Sequence, residues 1–220
     1  MSAADPERAL AISYAPGPRR AALTSLFALD DALAQVLRTT REPMVGQMRL
    51  TWWHDALVRL DSAPPPAEPV LQALTRDLLP LGVSGAGLTP IVEGWEELLG
   101  ETVSEEALLR YAEGRGSLFV AAGRILAADP GDPVREAGAG WALVDLAWHL
   151  SDPATAARAR EMAGPRLAAA VAPRWSRAGR ALGALAHLAS ADLANDPAGP
   201  RLQGSPRRVL RALRHRLTGR

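Results

Sequence analysis

The residues best suited to chemistry in this chain are Asp30 and Asp31. On a helical wheel, Leu23, Leu26, Phe27, Leu33, Ala34 and Leu37 fall on one apolar stripe. Asp30 lies in the middle of that stripe and Asp31 on its flank. A carboxylate within a core-facing stripe is unfavourable unless something satisfies it. An arginine, backbone donors, water or a metal ion in a cavity can each do so. Magnesium takes carboxylate oxygens and shares them with substrate phosphates. Two readings of Asp30 therefore stay open: a metal ligand, or a structural carboxylate paired with an arginine.

A second polar pair lies in the segment 140–150, which is apolar on nearly every side apart from Asp145 and His149. Four residues apart, these two share a helical face. Such a pair can do acid–base work or bind a metal. Equally, it can be a satisfied buried pair, or a histidine stabilised by the helix C-terminus.

The elements that must hold these residues are helices. Alanine and leucine recur with helical periodicity, and strand-like alternation is nearly absent. The spacing predicts helices over about 18–39, 43–60, 68–79, 88–99, 104–127, 134–150, 153–172, 174–193 and 206–217. Pro43 suits a first helical position. The runs 61–66 and 129–133, rich in Pro, Asp and Gly, are breaks. With no internal repeat and only short proline-rich loops, residues 1–220 read as one domain.

The composition narrows the function. Among 220 residues, 25 basic and 24 acidic side chains leave a net charge of +1, so nothing in the total charge calls for nucleic acid. Every basic residue is arginine, which grips phosphate bidentately. The absence of cysteine excludes disulfides, thiolate zinc sites and a cysteine nucleophile. His54, His187 and His215 have no partners at ligand spacing for zinc. The loop 82–87 lacks the Gly-Lys-Ser/Thr of a phosphate loop, and Ala86 breaks a Gly-x-Ser-x-Gly elbow. Asp5 and Glu7, with no apolar run around them, predict no signal peptide, and no run approaches a membrane span. A cytoplasmic protein is expected, either free or peripheral at the inner face of the membrane.

The run 26–35, Leu-Phe-Ala-Leu-Asp-Asp-Ala-Leu-Ala-Gln, resembles the first aspartate-rich helix of the squalene/phytoene synthase family. More specific is the run 42–57, in which Pro43, Gly46, Arg49-Leu50, Trp52-Trp53 and Asp55-Ala56-Leu57 are similar to a block of that family. The segment 111–126, with Tyr111, Gly116 and Ser117, resembles the helix that lines its cavity, and 143–152 falls where its second aspartate motif lies. The resemblance implies an all-α, isoprenoid-synthase-like helical bundle around a central cavity. It also implies magnesium held by Asp30, Asp31 and Asp145, and an isoprenyl diphosphate contacted by Arg49, Tyr111, Gly116 and Ser117, with Asp30, Asp31, Asp145 and His149 at the catalytic centre. In active members two isoprenyl diphosphates join head to head. Arg49 or Asp55 is then expected to reach Asp30 or Asp31 across the bundle, with surface ion pairing as the alternative.

The chain departs from that pattern at both motifs. The third acid of the first motif is Ala34, and the second motif presents Asp145 and His149 rather than two oxygen ligands. Asp152, just before Pro153, reads either as a third acid or as a cap. Neutral imidazole is a poor ligand for magnesium, and a charged one repels it. The expected function is thus a catalytically degenerate member that binds a prenyl lipid or a protein partner; the resemblance extends to members of this kind implicated in assembling respiratory complex I. A magnesium-dependent prenyltransferase and a plain helical scaffold are the alternatives.

Residues 201–220 hold seven arginines and no acid, and Val209, Leu210, Leu213 and Leu217 share a face. A helix over about 206–218 that lies on an anionic membrane surface is one expectation. The other is a helix docked on the bundle with a solvated basic face.

Overall fold

The computed structural model describes residues 5–100, 102–195 and 203–220. Arg201, counted above with the basic segment, and the first four residues of the N-terminal stretch lie outside the described residues. The described residues form ten α-helices and no strand: α1 Pro6–Ser13, α2 Gly17–Thr39, α3 Pro43–Arg59, α4 Pro69–Asp77, α5 Thr89–Glu96, α6 Glu105–Leu126, α7 Val134–Ala147, α8 Pro153–Val171, α9 Arg180–Leu193 and α10 Pro206–Thr218.

Local chemistry sets most of these boundaries. Proline occupies the first turn of α1, α2, α3, α4, α5, α8 and α10, where its missing N–H would be unsatisfied anyway. Ser104 caps α6 by accepting from the Ala107 N–H, with Glu105 and Glu106 in the first turn. Asp152 caps α8 by accepting from the Thr155 N–H at 2.9 Å, which decides between its two readings. Two features differ from the periodicity. The short α1, capped by Asp5, was not expected. The ninth helix starts at Arg180 rather than at 174, because residues 174–176 are irregular and a turn follows at 177–179. There the buried Trp175 donates to the Ala170 carbonyl at 2.9 Å, and Ser176 binds Asp132 through its N–H and hydroxyl.

One apolar core runs through α1 to α9. The stripe of α2 is buried as its wheel requires, with Leu23, Leu26, Phe27, Leu33 and Ala34 all in the interior and Asp30 among them. The Trp pair also divides as a helix demands: Trp53 is buried and Trp52 is exposed. No helix of the described residues is long and apolar enough to cross a membrane.

The C-terminal helix is held differently. It docks on α9 and α1 through Arg208, Ala212 and His215, the three residues it buries. Arg208 bridges Glu7 of α1, at 2.6 Å from Nη2 to Oε2, and Asp192 of α9, and all three are buried. His215 packs against the ring of His187 with centroids 4.5 Å apart and against Trp175. Both His215 nitrogens and His187 Nε2 lack a hydrogen-bond partner among the described residues. Burial, reinforced by His187 and by Arg180, pushes the His215 pKa down to about 3. Burial, then Arg211 and Arg214, lower that of His187.

A histidine with a depressed folded-state pKa stays neutral while the unfolded chain takes up a proton, so its stabilisation is full above about 6.5 and is lost as pH falls towards 3. Denaturant unfolding from neutral pH downwards is expected to show stability falling below about pH 6.5. His215→Leu should flatten that slope. Parallel profiles for the two proteins would contradict this role of His215.

Candidate functional site

The centre of the bundle is built on Arg115, a buried residue of α6. Its Nε and Nη2 donate to the two oxygens of Asp30, at 2.9 and 2.8 Å. Its Nη1 donates to Asp145 at 2.8 Å and to the Tyr111 hydroxyl at 2.7 Å. The Trp95 indole N–H adds a third donor to Asp30, at 2.9 Å. The guanidinium also lies over two indole rings, 4.6 Å from Trp95 and 4.4 Å from Trp141, contacts that stabilise a desolvated cation. Burial opposes the charge, but Asp30, Tyr111 and Asp145 outweigh it and raise the Arg115 pKa well above its ordinary value. Burial likewise pushes the Tyr111 hydroxyl far above the usual phenol range, so it stays protonated.

Glycines on either side of Arg115 bring these aromatics into place. Gly114 meets Gly94 of α5 so closely that a Cβ on Gly114 would sit 2.6 Å from the Gly94 Cα. Gly116 meets α7 in the same way, 2.7 Å from the Ala139 nitrogen. Trp95 follows Gly94, and Trp141 lies one turn beyond Gly138. The two close approaches draw α5 and α7 onto α6 and bring both indoles over the guanidinium.

The residues expected at a site are distributed as follows. Asp30, Tyr111 and Asp145 meet at Arg115. Asp31 points outward, 58% exposed, and pairs with Arg8 of α1 at 2.8 Å. His149 follows the end of α7 and its Nδ1 lies 2.7 Å from the Asp145 carbonyl. An open cavity of about 430 Å³ adjoins the cluster, lined among others by Asp31, Ala34, Trp95, Tyr111, Asp145 and His149. Arg8 and Arg38 also line it. Gly116 is a helix contact, and Ser117 donates to the Gly114 carbonyl at 2.6 Å beside a separate groove between α5 and α6. Arg49 donates to the Thr39 and Thr40 hydroxyls at 3.0 Å, bracing the α2–α3 turn. The expectation that Arg49 or Asp55 reaches the aspartates of α2 is corrected: Asp30 is taken by Arg115 and Trp95, Asp31 by Arg8, and Asp55 lies beside His54 at 3.5 Å.

Arg115 itself was missed in the sequence, although the wheel that singled out Asp30 also finds it. Tyr111, Arg115, Leu118, Phe119 and Ala122 share the buried face of α6. Opposite charges in the apolar stripes of two helices are a pairing signal.

The donor set does not fit magnesium. Both Asp30 oxygens already accept from N–H donors, and a fixed guanidinium charge stands where a cation would have to approach. Asp145 shares the same arginine, Ala34 supplies no oxygen, and among the described residues no group of three or more acids and histidines could hold a metal ion. The guanidinium already supplies the positive charge that a cation would bring.

Arg115→Met would strand Asp30 in the core with only the Trp95 donor, and is expected to lower stability by about 3–5 kcal/mol. Adding Asp30→Asn should recover part of that loss, read by urea unfolding of the single and double variants. A change within about 0.5 kcal/mol for Arg115→Met would show that the pair holds nothing together.

No curated protein and no solved structure matches the chain. The squalene/phytoene synthase family model matches residues 1–201. With helices throughout the described residues, a cavity beside the aspartate helix and a match across most of its length, this chain belongs to the squalene/phytoene synthase family.

Proposed function

We propose that this protein is a catalytically degenerate member of its family that uses the cavity beside Arg115 to bind one prenyl lipid without magnesium. The observation that carries this reading is the bidentate Arg115–Asp30 pair. A metal-dependent member needs carboxylate oxygens free to take a cation and a diphosphate together. Here the arginine supplies the compensating charge permanently, from within the protein.

The cavity supports binding in its own right. Its volume, about 430 Å³, falls within the range of small-molecule pockets. Leu37, Leu98, Leu146 and Leu150 give it apolar walls, and Arg8, Arg38 and His149 add polar groups. A prenyl chain would lie against the leucines while its polar end meets the arginines. Arginine binds a phosphate or diphosphate end well, and a hydroxyl end can accept from the same donors.

Thermal unfolding with farnesol and with farnesyl diphosphate, each with and without magnesium, tests this. Both ligands are expected to raise the melting temperature equally with and without the metal; a ligand at a hundred times its Kd adds about 2.7 kcal/mol. No pyrophosphate should appear. Magnesium-dependent release of pyrophosphate, lost in Asp30→Asn, would restore the prenyltransferase reading. No stabilisation by either ligand would refute the lipid-binding one.

A further inference from the structure

The last helix presents an unusual face to solvent. Its docking residues, Arg208, Ala212 and His215, lie on one side and contact α9 and α1. On the opposite side Leu210, Leu213 and Leu217 follow one another at turn spacing, 65%, 41% and 69% exposed, with Val209 alongside. The leucines of α10 are therefore not what attaches it to the bundle.

Arginines border this stripe on both edges. At 100° per residue, Arg207, Arg211 and Arg214 lie along one side of the leucines and Arg216 along the other, and all four are exposed. Of the arginines in α10, Arg208 is the one engaged in ion pairs with Glu7 and Asp192. Among the described residues Arg207, Arg211, Arg214 and Arg216 have no carboxylate partner; Arg216 lies over the Tyr14 ring. From Val209 to Leu217 the stripe is roughly 12 Å long.

We propose that α10 binds the surface of an anionic lipid bilayer, with Leu210, Leu213 and Leu217 inserted between the headgroups and the flanking arginines on lipid phosphates. The charge pattern selects this occupant. A leucine row with arginine on both edges and no acid matches an interface that is apolar below and negatively charged above. A soluble partner covering the same face would have to offer acids on both sides of an apolar groove. By contrast, the exposed Met44, Met48 and Trp52 of α3 have residues of both charge signs around them, Arg41, Arg49 and Asp55, which select no such surface. The inference is independent of what the cavity holds, because the docking contacts of α10 keep this face outward in either case.

The test is co-flotation of the full chain with vesicles of phosphatidylcholine alone and of phosphatidylcholine with phosphatidylglycerol. Binding is expected only to the anionic vesicles and should weaken as salt is added. The triple variant Leu210→Ser, Leu213→Ser, Leu217→Ser should lose binding with an unchanged melting temperature, since these side chains are exposed. The triple variant Arg207→Gln, Arg211→Gln, Arg214→Gln should lower partitioning roughly a hundred-fold. Wild-type chain that stays with the buffer, or vesicle binding untouched by both variants, overturns the proposal. A dimer in solution that the leucine variant converts to monomer would also overturn it, and would assign the stripe to a second copy of the chain.

Discussion

The interior of this protein depends on one ion pair. Arg115 and Asp30 stand in the apolar stripes of α6 and α2, and neither could be buried without the other. The pair reaches four more residues: Tyr111 and Asp145 through Arg115, Trp95 through both partners, and Trp141 through the guanidinium face. These residues lie on α2, α5, α6 and α7, so a single guanidinium registers four helices at once. Gly94, Gly114, Gly116 and Gly138 serve the same end, since backbones must approach closely for two indoles to cover one cation.

That arrangement bears directly on function. A metal-dependent site keeps its carboxylates apart and open, so that cations and substrate can complete the charge balance on arrival. This core balances Asp30 in advance, in a fixed geometry and behind aromatic walls. Ala34 and His149 fit the same balance: Ala34 brings no further acid to the cavity, and the His149 ring rests on the Asp145 carbonyl. The cavity lies directly beside this balanced core, with Trp95, Tyr111 and Asp145 shared between the two.

Much of the architecture was legible in the residues themselves. Prolines at helix starts and the long apolar stripes of α2 and α6 locate those helices closely, and the block at 42–57 points to the family that the match over 1–201 shows. α1 was not legible, because eight residues give too few turns for periodicity to show, and its buried Glu7 makes sense only once Arg208 arrives from the far end of the chain. The site was half legible. Asp30 announced itself as a charge out of place, with the arginine pairing among its stated readings. The identity of the arginine depends on which face of α6 meets α2, a tertiary fact, although Arg115 carried the same mark of a charge within an apolar stripe. Asp31, Arg49 and Ser117 stand at motif positions, and the partners their side chains meet, Arg8, Thr39 and the Gly114 carbonyl, depend on side-chain direction that spacing alone does not carry.

Arg115 holds the charge position beside Asp30 that a magnesium ion would need. Calorimetric titration of magnesium into the protein, in the presence of farnesyl diphosphate and compared with Asp30→Asn, addresses it most directly. The account predicts no saturable magnesium heat in the wild type beyond that of the diphosphate alone, and no difference on removing the Asp30 charge. Saturable magnesium binding by the wild type that disappears in Asp30→Asn would contradict it.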